Sequence, residues 1–248
     1  MHPTLFHLGS LTVPAYGALT AIGLMLALCL SLRTAVTVGI NPDHLWNAGL
    51  FAIVAAFVFS RLLLVATNLH SFVAYPILLL MVPSLTPLGI LLTALATGIY
   101  LRTHSLPLLS ALDAWTPCAT LTWVFFALGH FAEGSDPGLP SNLPWAFAIP
   151  PGNVRLHPVA VYAAIVAALI TIVVLLQLAR RRHAGDTVIL GLTLTGVAQF
   201  LLSFFREPAF YDNPLGRLID PIQWVALGMI VCAGILFQQP RKLIRHAL

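Results

Sequence analysis

The run LTWVFFALGHFAEGSDPG, residues 121–138, changes character at its midpoint. Leu121 to Leu128 is apolar enough to lie in lipid, whereas the following residues supply His130, Glu133 and Asp136 among glycines and a proline. A helix surfacing from a bilayer into water leaves such a boundary, with glycine and proline marking the turn. The apolar half sets the fold class, because its composition runs through the whole chain. Of 248 residues, 59% are hydrophobic and 8% charged, against about 25% charged in a soluble domain. A water-exposed surface cannot be built from this material, so the chain reads as an all-α polytopic integral membrane protein.

Working outward, segments of the roughly 20 apolar residues needed to cross a bilayer core fall at 14–38, 45–66, 84–101, 109–131, 157–179, 187–205 and 221–238, about seven transmembrane helices. The stretch 71–83, SFVAYPILLLMVP, is too short to span comfortably and reads as interfacial or re-entrant. There is no internal repeat, low-complexity tract or linker, so residues 1–248 are expected to form a single transmembrane domain with an outer-face loop at 132–156. The N-terminus lacks a basic n-region and its apolar segment outruns an h-region, so no cleavable signal peptide is expected.

Orientation follows from the basic residues. Arg33, Arg102, Arg180, Arg181, Arg182, Arg241, Lys242 and Arg245 place eight of the twelve on one side of the predicted spans. Glu133, Asp136, Glu207, Asp212 and Asp220 lie on the other, with Arg155, Arg206 and Arg217. The positive-inside rule then puts the N-terminus outside and the C-terminus in the cytoplasm. A polar cavity is expected to open to the outer face. The net charge of +4 fits cytoplasmic loops near anionic lipid. No basic stripe with interleaved aromatics points to nucleic acid.

Few residues stand out as chemistry. Cys29, Cys118 and Cys232 lie within apolar runs, far apart, and read as small core residues. No metal-ligand spacing, Ser/His/Asp order, P-loop or dinucleotide glycine pattern occurs, so neither metal nor cofactor is expected. Arg61, in FVFSRLLLV, is a charge at membrane depth; it either snorkels to the headgroups or clamps an anionic phosphate. Arg206, in SFFREP, is an interfacial anchor or a second such cation. Asp113 opens the fourth span and reads as an acid in its own helix's first turn. His130 and Glu133 are three apart and share a helical face if the helix extends that far. A carboxylate beside an imidazole orients it as a general base. His157, ahead of Pro158, reads as an interfacial residue or a base, and Tyr162 falls well off its helical face.

The order of short motifs resembles the prolipoprotein diacylglyceryl transferase family over almost the whole chain. FHLGSLTVPAYGALTAIGL (6–24) is similar to the family's opening, with Tyr16 and Gly17 as its Tyr-Gly. FSRLLLV (59–65) resembles the second helix, and LDAWTPCATLTWVFFALGHF (112–131) the Asp-x-x-x-Pro helix. GHFAEGSDPGLPSNLPWAFAIPPGNVRLHPVAVY (129–162) keeps the signature loop's glycine frame, Leu-Pro-Trp, Phe-x-x-Pro and His-Pro-x-x-x-Tyr. QFLLSFFREP and PIQWVALGMI look like the last two helices. The resemblance implies transfer of the diacylglyceryl group of phosphatidylglycerol, or another anionic phospholipid, to the thiol of a lipobox cysteine in a secreted preprolipoprotein. It implies a multi-pass protein of the bacterial inner (cytoplasmic) membrane. By the same resemblance Arg61, Arg206, Tyr16, Tyr162 and Gln223 bind substrate, and His130, Glu133 and His157 are candidates for base and orienter.

The chain departs from the family's pattern at several charged positions. Thr86 and Pro87 stand for its His-Gly-Gly, and Phe126 and Ala127 for the Gly-Arg that enters the loop. Gln199 and Ser203 replace an arginine and a glutamate of the late helix, and Ala163 a further glutamate. Three readings stay open: a diacylglyceryl transferase with rearranged residues, a paralogue acting on another phospholipid headgroup, and a non-catalytic member that binds lipid or a partner.

Overall fold

The computed structural model describes residues 4–8, 11–68, 86–148, 154–207 and 220–239. Within them a short hairpin of β1 (Thr4–Leu8) and β2 (Leu11–Pro14) precedes seven helices. These are α1 (Ala15–Val38), α2 (Pro42–Thr67), α3 (Pro87–Thr103), α4 (Leu108–Glu133), α5 (Val159–Arg180), α6 (Asp186–Ser203) and α7 (Pro221–Gln238). All seven predicted spans are present as helices, with ends moved by a few residues. Six are long and apolar enough to cross a membrane. The other, α3, has 17 residues, about 26 Å at 1.5 Å per residue and slightly short of a bilayer core. The predicted interfacial stretch 71–83 lies outside the described residues.

Local chemistry sets the boundaries. Gly39 ends α1 in the left-handed region (φ 75°), and its amide and that of Ile40 close back on Val36 and Ala35, the hydrogen-bond pattern that stops a helix at glycine. Asn41 caps α2 by accepting from the Asp43 amide at 2.9 Å, and Thr86 caps α3 through the Gly89 amide at 3.1 Å. Pro42 and Pro87 occupy first-turn positions where a missing N–H costs nothing.

The centre of the bundle is α4, packed against α1, α5 and α6. Small residues make these approaches possible, since tight backbone contact replaces the hydrophobic drive that lipid abolishes between helices. Gly23 of α1 faces Phe125 of α4, and Gly191 of α6 faces Thr116. Between α4 and α5, buried Thr171 donates to Thr120 at 2.9 Å. At the periphery α3 packs on α2 and α7 on α6. Leu62, Leu95, Ile99, Leu169, Val225 and Phe237 are each more than half exposed, a surface only hydrocarbon solvates. This is an all-α, polytopic membrane protein.

One sequence reading is corrected. Asp113 does not serve its own helix: it is fully buried and accepts at its Oδ1 from the amides of Thr187 and Val188, at 3.0 and 2.9 Å. Its Oδ2 accepts from the Gly185 amide at 2.8 Å and from Arg181 at 2.9 Å. Arg181 also donates to the Val38 carbonyl at 3.1 Å. Asp113 thus satisfies the orphan amides of α6 and ties α1, α4, α5 and α6 together at one end of the bundle.

Candidate functional site

The opposite end of the bundle carries the connection between α4 and α5. Helix α4 continues through Glu133, so His130 and Glu133 do lie on one helical segment. Gly134 then takes the left-handed conformation (φ 75°), and the chain turns away. Residues 138–141 run as an extended strip between two others. Leu139 donates to the Phe205 carbonyl at 2.8 Å on one side and accepts from the His157 amide at 3.0 Å on the other. Ser141 donates to Arg155 at 2.8 Å, and the two-residue strands β3 (Phe147–Ala148) and β4 (Arg155–Leu156) pair beyond it. A side chain at Gly138 would collide with the His157 carbonyl, so the strip's close approach requires glycine there.

This framework brings some predicted residues together and separates others. Arg206 lies beside the strip and pairs with Asp136, Nη2 to Oδ2, at 3.1 Å. His157 sits before α5 rather than on it, so helical angles do not govern its relation to Tyr162. The two rings meet edge to face at 6.2 Å, and His157 meets Phe205 at 5.3 Å; the sequence reading had set them apart. Trp145 donates to the Tyr162 hydroxyl at 2.7 Å, and His157 Nδ1 is buried with no hydrogen-bond partner among the described residues.

His130 has a different neighbour from the one expected. Its Nδ1 lies 2.8 Å from Ser135 Oγ, and its ring lies 4.8 Å from that of Tyr16 on α1. Among the described residues neither a hydrogen bond nor an ion pair joins it to Glu133. The tyrosine reaches the histidine because Gly129 faces it: a Cβ there would stand 2.9 Å from Tyr16 Cδ2. Gln223 has both ends engaged, accepting from the Asp220 amide at 3.1 Å and donating to Ser203 Oγ at 3.0 Å. Ser203 therefore pins α7 to α6 through Gln223.

Beneath the strip, a cavity of about 790 Å³ runs between α4, α6 and α7, with Ile90 of α3 on its wall. It extends along α4 from Leu112 to Phe126, about 21 Å by helical rise. The threonines on the α4 wall, Thr116 and Thr120, turn their hydroxyls to carbonyls of their own helix, which leaves that wall apolar. Arg206 is the charged residue among those lining it, and Gln199, seven residues earlier on α6, has its Oε1 buried and unpartnered among the described residues. A smaller cavity of about 390 Å³ between α2, α3 and α4 shares Ile90, Leu112 and Trp115 with the first. Arg61 lines neither cavity. It is buried in α2, with its guanidinium carbon 5.4 Å from the centre of the Phe57 ring. Among the described residues no three His, Cys, Asp or Glu side chains converge as metal ligands would.

Asp136, Ser135, Trp145 and Gln199 are the neighbours that the sequence did not single out as site residues. Asp136 and Arg206 are 70 positions apart, and no periodicity or spacing links a loop acid to one arginine among several. The chemistry this end offers is a cation with a carboxylate against it, an amide oxygen unpartnered among the described residues, two imidazoles and a long apolar slot. It suits an amphiphile whose polar end carries phosphate.

Comparison with known proteins identifies the family. A family model described as prolipoprotein diacylglyceryl transferase matches residues 3–238. The chain is similar to the phosphatidylglycerol–prolipoprotein diacylglyceryl transferase of Clostridium tetani, 25% identical over 97% of this chain and 98% of that one. It is also similar to the protein of that name from Clostridioides difficile, 25% identical over 96% of each chain. The corresponding protein of Idiomarina loihiensis is 31% identical over 62% of this chain and 59% of its own.

Proposed function

Because the chain belongs to the prolipoprotein diacylglyceryl transferase family, we propose that it moves the diacylglyceryl group of phosphatidylglycerol onto the cysteine thiol of a secreted preprolipoprotein. The observation that carries this reading is Arg206 at the polar end of an apolar slot of about 790 Å³, at the end of the bundle where α4 presents His130 and the following loop His157. In the reaction the thiol sulfur attacks the terminal glycerol carbon of the diacylglyceryl group. A C–S bond forms as the C–O bond to phosphate breaks, glycerol phosphate leaves with the bond's electron pair, and the thiol proton passes to a base.

Arg206 would hold the phosphate and stabilise the charge gathering on the leaving group. His130 and His157 are the candidates to take the proton. His130 is oriented through Nδ1 by Ser135, the part first given to Glu133, which leaves Nε2 for chemistry. Tyr16 and Tyr162 act through their packing on His130 and His157, and Gln223 by holding α7 to Ser203 of α6. Arg61, outside both cavities, is given no contact with the headgroup. The loop connecting α4 to α5 would face outward from a bacterial inner membrane, which the clustering of Arg33, Arg102, Arg180 and Arg182 at the other end supports.

Expression in cells depleted of their own transferase tests the reaction: mature lipoproteins should again carry diacylglycerol. No rescue at good membrane expression would overturn it. The neutral Gln199 and Ser203 near Arg206 favour a second reading, a member that binds phospholipid without turnover. That reading gains if purified protein carries phospholipid while complementation fails.

A further inference from the structure

We propose that Asp136 reads the headgroup of the bound phospholipid: it accepts from a hydrogen-bond donor carried beyond the phosphate, while Arg206 takes the phosphate itself. This rests on the cavity's being a phospholipid site, as proposed above. A lipid entering from the bilayer exchanges one hydrocarbon environment for another, so the apolar walls contribute little selectivity. Discrimination falls to the few polar groups at one end.

Those groups are unusual for a plain phosphate site. A lone guanidinium would accept any phosphate, but here Asp136 stands 3.1 Å from Arg206, with the two side chains 20% and 14% exposed. Arg206 Nε is buried with no partner among the described residues. Asp136 uses Oδ2 on Arg206, and among the described residues its Oδ1 makes no hydrogen bond. Gln199, which lines the cavity with Arg206, presents a second acceptor unpartnered among the described residues. A phosphate on Arg206 therefore lies beside a carboxylate of like charge, in surroundings drier than bulk water, where the repulsion is felt.

An uncharged methyl end leaves that repulsion unrelieved, and a quaternary ammonium offsets the charge without donating a hydrogen bond. A headgroup carrying O–H or N–H a few bonds past the phosphate donates to Asp136 and turns the repulsion into an alternating set of contacts. The ligand chemistry is thus a phosphodiester followed by a donor. A glycerol hydroxyl supplies it as a neutral group, and an ethanolamine ammonium as a charged one that makes the stronger bond.

The test measures binding of four lipids to the purified full chain in nanodiscs: phosphatidylglycerol, phosphatidylethanolamine, phosphatidylcholine and phosphatidylmethanol. We expect the first two to bind about tenfold more tightly than phosphatidylmethanol, the factor one hydrogen bond to a charged group supplies, with phosphatidylcholine, a cation without a donor, between them. Asp136→Ala should abolish that ratio for both donors. Asp136→Asn, which keeps an acceptor but no charge, should lower phosphatidylethanolamine relative to phosphatidylglycerol. Equal binding of all four lipids by the wild type would overturn the proposal, as would discrimination that survives Asp136→Ala in a protein of unchanged melting temperature. Should the variants fail to fold, the wild-type series decides alone. Binding of none of the four would overturn the lipid-site reading as well. Discrimination without complementation would leave this inference standing and remove only the transfer reaction.

Discussion

At the residue scale the pair Arg206–Asp136 governs the electrostatics of the cavity's polar end. Replacing Arg206 by Gln removes the phosphate's cation and leaves its partner, the Asp136 carboxylate, uncompensated beside the bound phosphate, so the loss should exceed that of one contact. We expect kcat/KM for diacylglyceryl transfer to fall about 10²–10³-fold, the range for removing a group that stabilises leaving charge. Adding Asp136→Asn should recover part of it, because the uncompensated carboxylate disappears. A double-mutant cycle on transfer rates measures the coupling, and additive losses would mean that the two residues act apart. Arg206 is legible in the sequence as an arginine at the end of a span. Its partner is not, because an ion pair across 70 residues depends on how the strip folds back. The same limit misplaced Tyr162: a turn angle of 100° per residue holds only inside a helix, and His157 precedes α5.

At the scale of elements, two contacts hold the site to the scaffold. One is the crossing of α1 on α4, where Gly129 accommodates Tyr16. Gly129→Ala would put a methyl 2.9 Å from Tyr16 Cδ2 and 3.3 Å from its Cα, so backbone as well as ring must yield. Overpacking of this kind costs about 1–3 kcal/mol, and it would move Tyr16 off His130. Gly98→Ala and Gly228→Ala, where nothing lies within 4 Å, should be neutral or slightly stabilising through helix propensity. Thermal unfolding in detergent should separate the first variant from the other two. The second contact is Asp113, far from the site but at the junction of several helices. Asp113→Ala strands Arg181 and the first amides of α6 in a buried place, and about 3–5 kcal/mol should be lost. The helices themselves were legible because apolar length alone identifies a span. Asp113 was misread because a capping rule built on neighbours in sequence cannot show that the helix being capped starts 73 residues later.

At the scale of the molecule, the bundle has a basic end and an acidic end, and orientation follows from how they face the membrane. Arg181 is consumed by Asp113, so the charge that sets orientation comes from the exposed Arg33, Arg102, Arg180 and Arg182. Against them stand Glu133, Glu207 and Asp220 at the loop end with the exposed Arg155, and there Arg206 is balanced by Asp136. Acidic residues contribute little to topology, whereas arginines within about 15–20 residues of a span resist translocation. The loop end should therefore lie on the non-cytoplasmic side, where a secreted preprolipoprotein would meet it. Single cysteines can test this in a chain whose Cys29, Cys118 and Cys232 are replaced by Ser. Asn142→Cys, exposed on the loop, should react with a membrane-impermeant thiol reagent in intact spheroplasts. Thr103→Cys, exposed at the other end of α3, should react only after the membrane is opened. The opposite pattern would place Arg206 and both histidines in the cytoplasm. A secreted thiol acceptor could not reach them there, and the transfer reaction would fail on topology alone, whatever the site binds.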